Sequence, residues 1–128
     1  MDKPYNIRER VLLFADQVFA FCRELRAKDP LFADMAQQLN DAAGSIGANL
    51  AEAKDGESKK DFIHKNSVAL KEANEANYWL KRAWRAEKSL REKAEPLIQE
   101  SRELISILSA IVVKAKSNQN RGDMDGDA

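Results

Sequence analysis

Lys81, Arg82, Trp84, Arg85 and Lys88 form a short stretch in which cations and an aromatic ring alternate, with Tyr78 and Trp79 just before it. At helical spacing Lys81, Arg85 and Lys88 share one face and Arg82 lies beside it. Ammonium and guanidinium groups grip phosphate, and indole rings stack on bases, so this pattern is a candidate nucleic-acid surface. A solvated helix end or a charged contact between subunits has the same pattern. The formal net charge of zero, from 21 basic and 21 acidic residues, weighs toward those readings and excludes a histone-like polycation.

Other chemistry finds little support. Asp61-x-x-His64 has the acid-x-x-His spacing of two-metal helical bundles, but His64 is the single histidine, so the ligand set fails and no metal or cofactor is expected. Cys22, the single cysteine, excludes an intramolecular disulfide and lies on an apolar helix face with no histidine base in pattern. It reads as a structural thiol. Asp55-Gly56 makes no phosphate cradle, and no Gly-x-x-x-x-Gly-Lys is present. Arg121-Gly122-Asp123 reads as coincidence. Glu72 and Glu75 interrupt a stripe between Val68 and Trp79, and Ser45, Asn49 and Glu52 share a face. Carboxylates so placed form polar interfaces or solvent-reached edges more often than general acid–base pairs. The expectation is a protein without catalytic activity.

Helices must position these groups. In 128 residues, with 44% hydrophobic and 33% charged side chains but five Gly and three Pro, one mostly helical domain is expected. Ile7, Val11, Phe14, Val18, Phe21 and Leu25 make one stripe, capped by Asn6 with Glu9 three residues on. Leu12, Ala15, Phe19 and Cys22 widen it, predicting a first helix covered on more than one side. Asp29-Pro30 ends that helix and caps the next. The second helix, about Leu31 to Ala53, carries Leu31, Met35, Leu39, Ala42, Ile46, Leu50 and Ala53. Gly44 and Gly47 inside it predict close approach of a neighbour, or else a break.

A turn at 54–57 precedes Ser58, an N-cap for a third helix running to about Lys88. Its stripe is Phe62, Ala69, Ala73, Ala76, Leu80 and Ala83, with Asn66 at the missing register position. Pro96 fits the first turn of a fourth helix ending near Lys116 and carrying Leu97, Ile98, Leu104, Ile105, Leu108, Ile111 and Val112. The expected organisation is a bundle over 1–116 and a polar, disordered tail over 117–128. The fold class is all-α, an antiparallel up-down four-helix bundle. Folding helices two and three back about Gly56 makes facing residue numbers sum to about 112, from the equal rise of both. Asp41 then faces Lys71, and Glu52 faces Lys59 and Lys60. Charge is uneven: 29–58 hold one basic and six acidic residues, and 59–93 hold ten and five. No run approaches the ~18 apolar residues of a membrane span, and a cytoplasmic location without membrane contact is expected.

Two segments carry a resemblance. Ser45-Ile46-Gly47-Ala48-Asn49-Leu50-Ala51-Glu52-Ala53, followed by Ser58-Lys59-Lys60-Asp61-Phe62-Ile63, is the first. Ala69 through Leu80 is the second. Together they resemble the bacterial four-helix-bundle family named for reading frames inside intervening sequences of 23S ribosomal RNA genes. The resemblance covers about residues 7–116 and implies an up-down bundle assembled as a ring-shaped homopentamer with no established enzymatic activity. Asn49, Glu52, Phe62, Leu70, Glu72, Glu75 and Trp79 match its pattern, and all but Leu70 are expected at the interface between copies. A related branch, the accessory protein of diversity-generating retroelements, is a basic barrel that binds nucleic acid and the reverse transcriptase. The zero charge balance here departs from that branch. Two functions remain open: an oligomeric RNA- or DNA-binding accessory using Lys81, Arg82, Trp84, Arg85 and Lys88, or a scaffold whose charges serve self-assembly and a protein partner.

Overall fold

The computed structural model describes residues 6–54 and 58–126, with side chains described as far as Gly122. Four helices form an all-α bundle: α1 (Ile7–Lys28), α2 (Ala33–Lys54), α3 (Lys59–Ala86) and α4 (Arg91–Gly126). Among the described residues there is no strand. The expected turn at 54–57 lies outside the described residues from Asp55 to Glu57.

Local capping explains the boundaries. Asn6 accepts from the Arg8 amide at 2.9 Å and Ser58 Oγ from the Asp61 amide at 3.1 Å, each giving an orphan N–H at a helix start its acceptor. Asp29 accepts from the Leu31 amide at 2.9 Å and opens a single 3-10 turn, Pro30–Phe32, before α2. That tighter turn takes Leu31 out of the α2 register, and it is 85% exposed rather than part of the stripe. At the far end Glu87 is extended, and a second 3-10 turn, Lys88–Leu90, leads into α4. Pro96 is therefore inside α4 rather than in its first turn. It is exposed, as is Glu92, the residue whose carbonyl loses its helical donor there. Helix α4 also runs beyond Lys116 to Gly126, correcting the expected helix end. The apolar stripe marks only the portion covered by neighbours, whereas propagation adds a hydrogen bond per residue without requiring a buried face.

Four stripes converge on one core. Val11, Phe14, Val18 and Leu25 of α1, Leu39 and Ile46 of α2, Leu80 of α3, and Leu104 and Leu108 of α4 are its largest fully buried apolar side chains. On α3 the buried positions are Ile63, Ala69, Ala73, Ala76, Leu80 and Ala83, so the stripe starts at Ile63 and Phe62 is left exposed. Asn66 fills the gap, buried, its Nδ2 donating to the Phe62 carbonyl at 2.8 Å. Ser101, wholly buried, accepts from Asn77 Nδ2 at 2.8 Å and donates to the Ile98 carbonyl at 2.7 Å. Both groups meet the rule that buried polar atoms keep partners.

Contacts between α1 and α4 descend one helix as they ascend the other. Arg10 of α1 holds Glu100 (2.7 Å) and Glu103 (2.9 Å) of α4, while Glu24 reaches Lys93. Glu52 pairs with Lys65 at 2.5 Å, in place of the expected Lys59 and Lys60. Helical side chains lean toward their own N-terminus, so the Glu52 carboxylate tilts away from the connection and meets a later residue of α3.

The two glycines of α2 differ. A Cβ at Gly47 would lie 3.5 Å from Val11 Cγ2, an ordinary contact, and one at Gly44 would meet nothing within 4 Å. The helix is unbroken, and Gly44 serves no close approach within this chain. Gly44→Ala is therefore expected to raise unfolding stability by about 1 kcal/mol through helix propensity. Urea unfolding checks this. A lowered midpoint would mean that a second molecule packs against Gly44.

Candidate nucleic-acid interface

The expected cations divide. Lys81 and Arg85, one turn apart on α3, border a groove of about 420 Å³ together with Trp84. The facing wall comes from α4: Glu95, Ile98, Gln99 and Arg102. Arg82 and Lys88 are exposed but do not line it. Arg82 is rotated about 100° from Lys81 by the helical repeat. Lys88 sits in the 3-10 turn, after the helix that would have aligned it has ended.

Trp84 is fixed from several directions. Its Nε1 donates to Glu95 Oε1 at 3.2 Å. The Arg91 guanidinium lies over the ring, 4.1 Å from its centroid, and Arg91 Nε donates to the Trp84 carbonyl at 2.9 Å. A cation over an indole face and a donor bond along its edge hold the ring in one orientation. The groove thus combines three cations, one carboxylate engaged by the indole, and an aromatic wall. Such a lining suits an anion carrying a flat apolar group and offers no nucleophile–base pair.

Arg102, Arg91 and Glu95 stand outside the aromatic–basic stretch of the sequence, because they belong to another helix. The register could have found them. Trp84 beside Glu95 and Asn77 beside Ser101 follow from folding α4 back about the connection at 87–90.

None of the six expected interface residues lines this groove. Asn49 is half-buried, its Nδ2 bonded to the Ser45 carbonyl at 2.8 Å. Phe62 and Glu75 are exposed, and so is Glu52 despite its ion pair with Lys65. Trp79 is half-buried against the core, with Tyr78 edge-on at 4.9 Å. Glu72 is half-buried, and desolvation lifts its carboxyl above the ordinary range, with the Glu75 charge next and Asp41 a smaller push; Lys71 opposes them. Asp41 thus acts on α3 near the predicted level.

This shift has a sign. The folded chain holds more protons than the unfolded one between the ordinary glutamate value and the raised one, so stability falls as pH rises through that window. Glu72→Gln is expected to be more stable than the parent at neutral pH, with the difference shrinking on acidification through the window. Unfolding midpoints of both proteins across pH check it, and a difference independent of pH would contradict it.

The remaining candidates are quiet. Burial pushes the Cys22 thiol up to about 12, which keeps it protonated and unreactive. His64 is exposed. Among the described residues no three His, Cys, Asp or Glu side chains are grouped to hold a metal ion, and no helix is long and apolar enough to cross a membrane.

Comparison with known proteins agrees with this architecture. The family model described as "23S rRNA-intervening sequence protein" matches residues 4–110. A solved structure from Bacteroides thetaiotaomicron, described as a protein with unknown function from the S23 ribosomal protein family, is similar to this chain. The identity is 34% over 84% of this chain and 98% of that one, with a TM-score of 0.76. No curated protein matches the chain significantly.

Proposed function

The chain belongs to the 23S rRNA-intervening sequence protein family, and from that premise we propose that it is a non-enzymatic, homo-oligomeric nucleic-acid-binding accessory of the cytoplasm. The groove between α3 and α4 carries this reading, because Lys81, Arg85 and Arg102 surround an indole whose orientation is already fixed. Cations supply the salt-dependent grip on phosphate, and the ring supplies a stacking surface. Arg82 and Lys88, exposed nearby, extend the positive field beyond the groove.

Self-assembly rests on a second observation. Leu12 and Phe19 are 64% and 53% exposed, on the flank of α1 that the sequence pattern expects to be covered. A copy of the same chain covers them in the proposed assembly, with five copies the expected number. Asn49, Glu52, Phe62, Glu72, Glu75 and Trp79 are proposed to contribute to contacts between copies. The same exposed flank favours a second reading, in which the oligomer is a scaffold for a protein partner and its charges serve assembly alone.

Light-scattering mass, measured at low and high salt with and without a structured RNA containing unpaired loops, separates the two. An oligomer stable in high salt that gains mass with RNA only at low salt supports the accessory. An oligomer indifferent to RNA at both salts supports the scaffold, and a monomer throughout overturns both.

A further inference from the structure

We propose that the α3–α4 groove takes an unpaired nucleotide of a single strand, its base on Trp84 and its phosphate among Lys81, Arg85 and Arg102. This deepens the nucleic-acid reading and rests on it. The argument starts from the indole. Arg91 covers one ring face at 4.1 Å and does not line the groove, which leaves the opposite face as the one a ligand can stack on. The edge is occupied by the Nε1 bond to Glu95 at 3.2 Å. What Trp84 offers a ligand is therefore a face, and a face is satisfied by a flat ring stacked on it.

A duplex keeps its base faces inside its own stack, whereas an unpaired strand presents them to aromatic side chains. The volume, about 420 Å³, is within the range that encloses a small organic unit. Charge points the same way. Lys81, Arg85 and Arg102 exceed the single carboxylate of the lining, which the indole N–H already engages. Phosphate beside a base is the ligand that uses both the cations and the ring. An acidic peptide uses the cations alone.

The test compares a labelled oligoadenylate single strand with a duplex of the same length, using the full chain, its Trp84→Ala and Trp84→Phe variants, and polyglutamate as competitor. The single strand is expected to bind more tightly than the duplex. Trp84→Ala should weaken single-strand binding by about tenfold or more while leaving duplex binding unchanged, and Trp84→Phe should retain most of it. Circular dichroism and light-scattering mass confirm that each variant keeps its fold and assembly, and Trp84→Phe carries the comparison if Trp84→Ala does not. Equal losses on strand and duplex, or displacement by polyglutamate as effective as by unlabelled strand, would overturn the unpaired-nucleotide assignment and leave a basic surface in place. Absence of binding to either nucleic acid overturns the accessory function itself.

Discussion

Replacing Lys81 and Arg85 together by glutamate is expected to lower affinity for single-stranded RNA by about a hundredfold at low salt, with fold and oligomeric mass unchanged. Both side chains are exposed, so their reversal empties no core position. Substitutions at such positions cost within about 0.5 kcal/mol of stability. Two of the three groove cations then repel phosphate instead of releasing its counterions. The slope of log affinity against log salt should flatten by about 1.4, the contribution of two contacts to a single strand. Fluorescence anisotropy with a labelled strand, repeated across salt concentrations, reads both quantities. Unchanged affinity would remove the groove from the account. Dissociation of the oligomer would instead assign these charges to the contact between copies.

A second large effect is expected on α1. Leu12→Asp with Phe19→Asp should convert the oligomer to a monomer of 14.4 kDa while the bundle stays folded. These positions are two helical turns apart and so share a face. Burying a leucine or phenylalanine contributes roughly 1.5–3 kcal/mol each, and a charge in their place reverses that contribution at every copy's contact. Within one chain the cost is small because both residues already meet solvent. Sedimentation or light-scattering mass gives the answer, with helical circular dichroism as the check on folding. An oligomer that survives both substitutions would place the contact on another face.

Much of the bundle was legible in the sequence because its signals are local. Asn6, Asp29 and Ser58 cap where their side-chain chemistry requires, and the buried set of α1 follows its four-three spacing. The errors lie where a different periodicity or a distant partner decides. Leu31 left its stripe because a 3-10 turn replaced the first α-helical turn. The α3 stripe read from spacing starts at Phe62, whereas the buried residue is its neighbour Ile63. The covering expected over Leu12 and Phe19 is not supplied within one chain, and a stripe alone does not say which molecule buries it.

The candidate site was half legible for a related reason. Lys81, Trp84 and Arg85 are neighbours in sequence and share the groove, whereas Arg102 and Glu95 arrive from another helix. Arg82 and Lys88 show the reverse case. Proximity along the chain grouped them with the site, and helical rotation and the end of α3 separated them.

The central claim is that three cations and an indole form one phosphate-binding groove. Its most direct test is the affinity of the unmodified protein for a labelled single strand, from about 50 mM to about 200 mM salt. The account predicts linear loss of log affinity with a slope of about −2 for each strand bound, the value for three phosphate contacts. No binding at the lowest salt, or an affinity independent of salt, would contradict it.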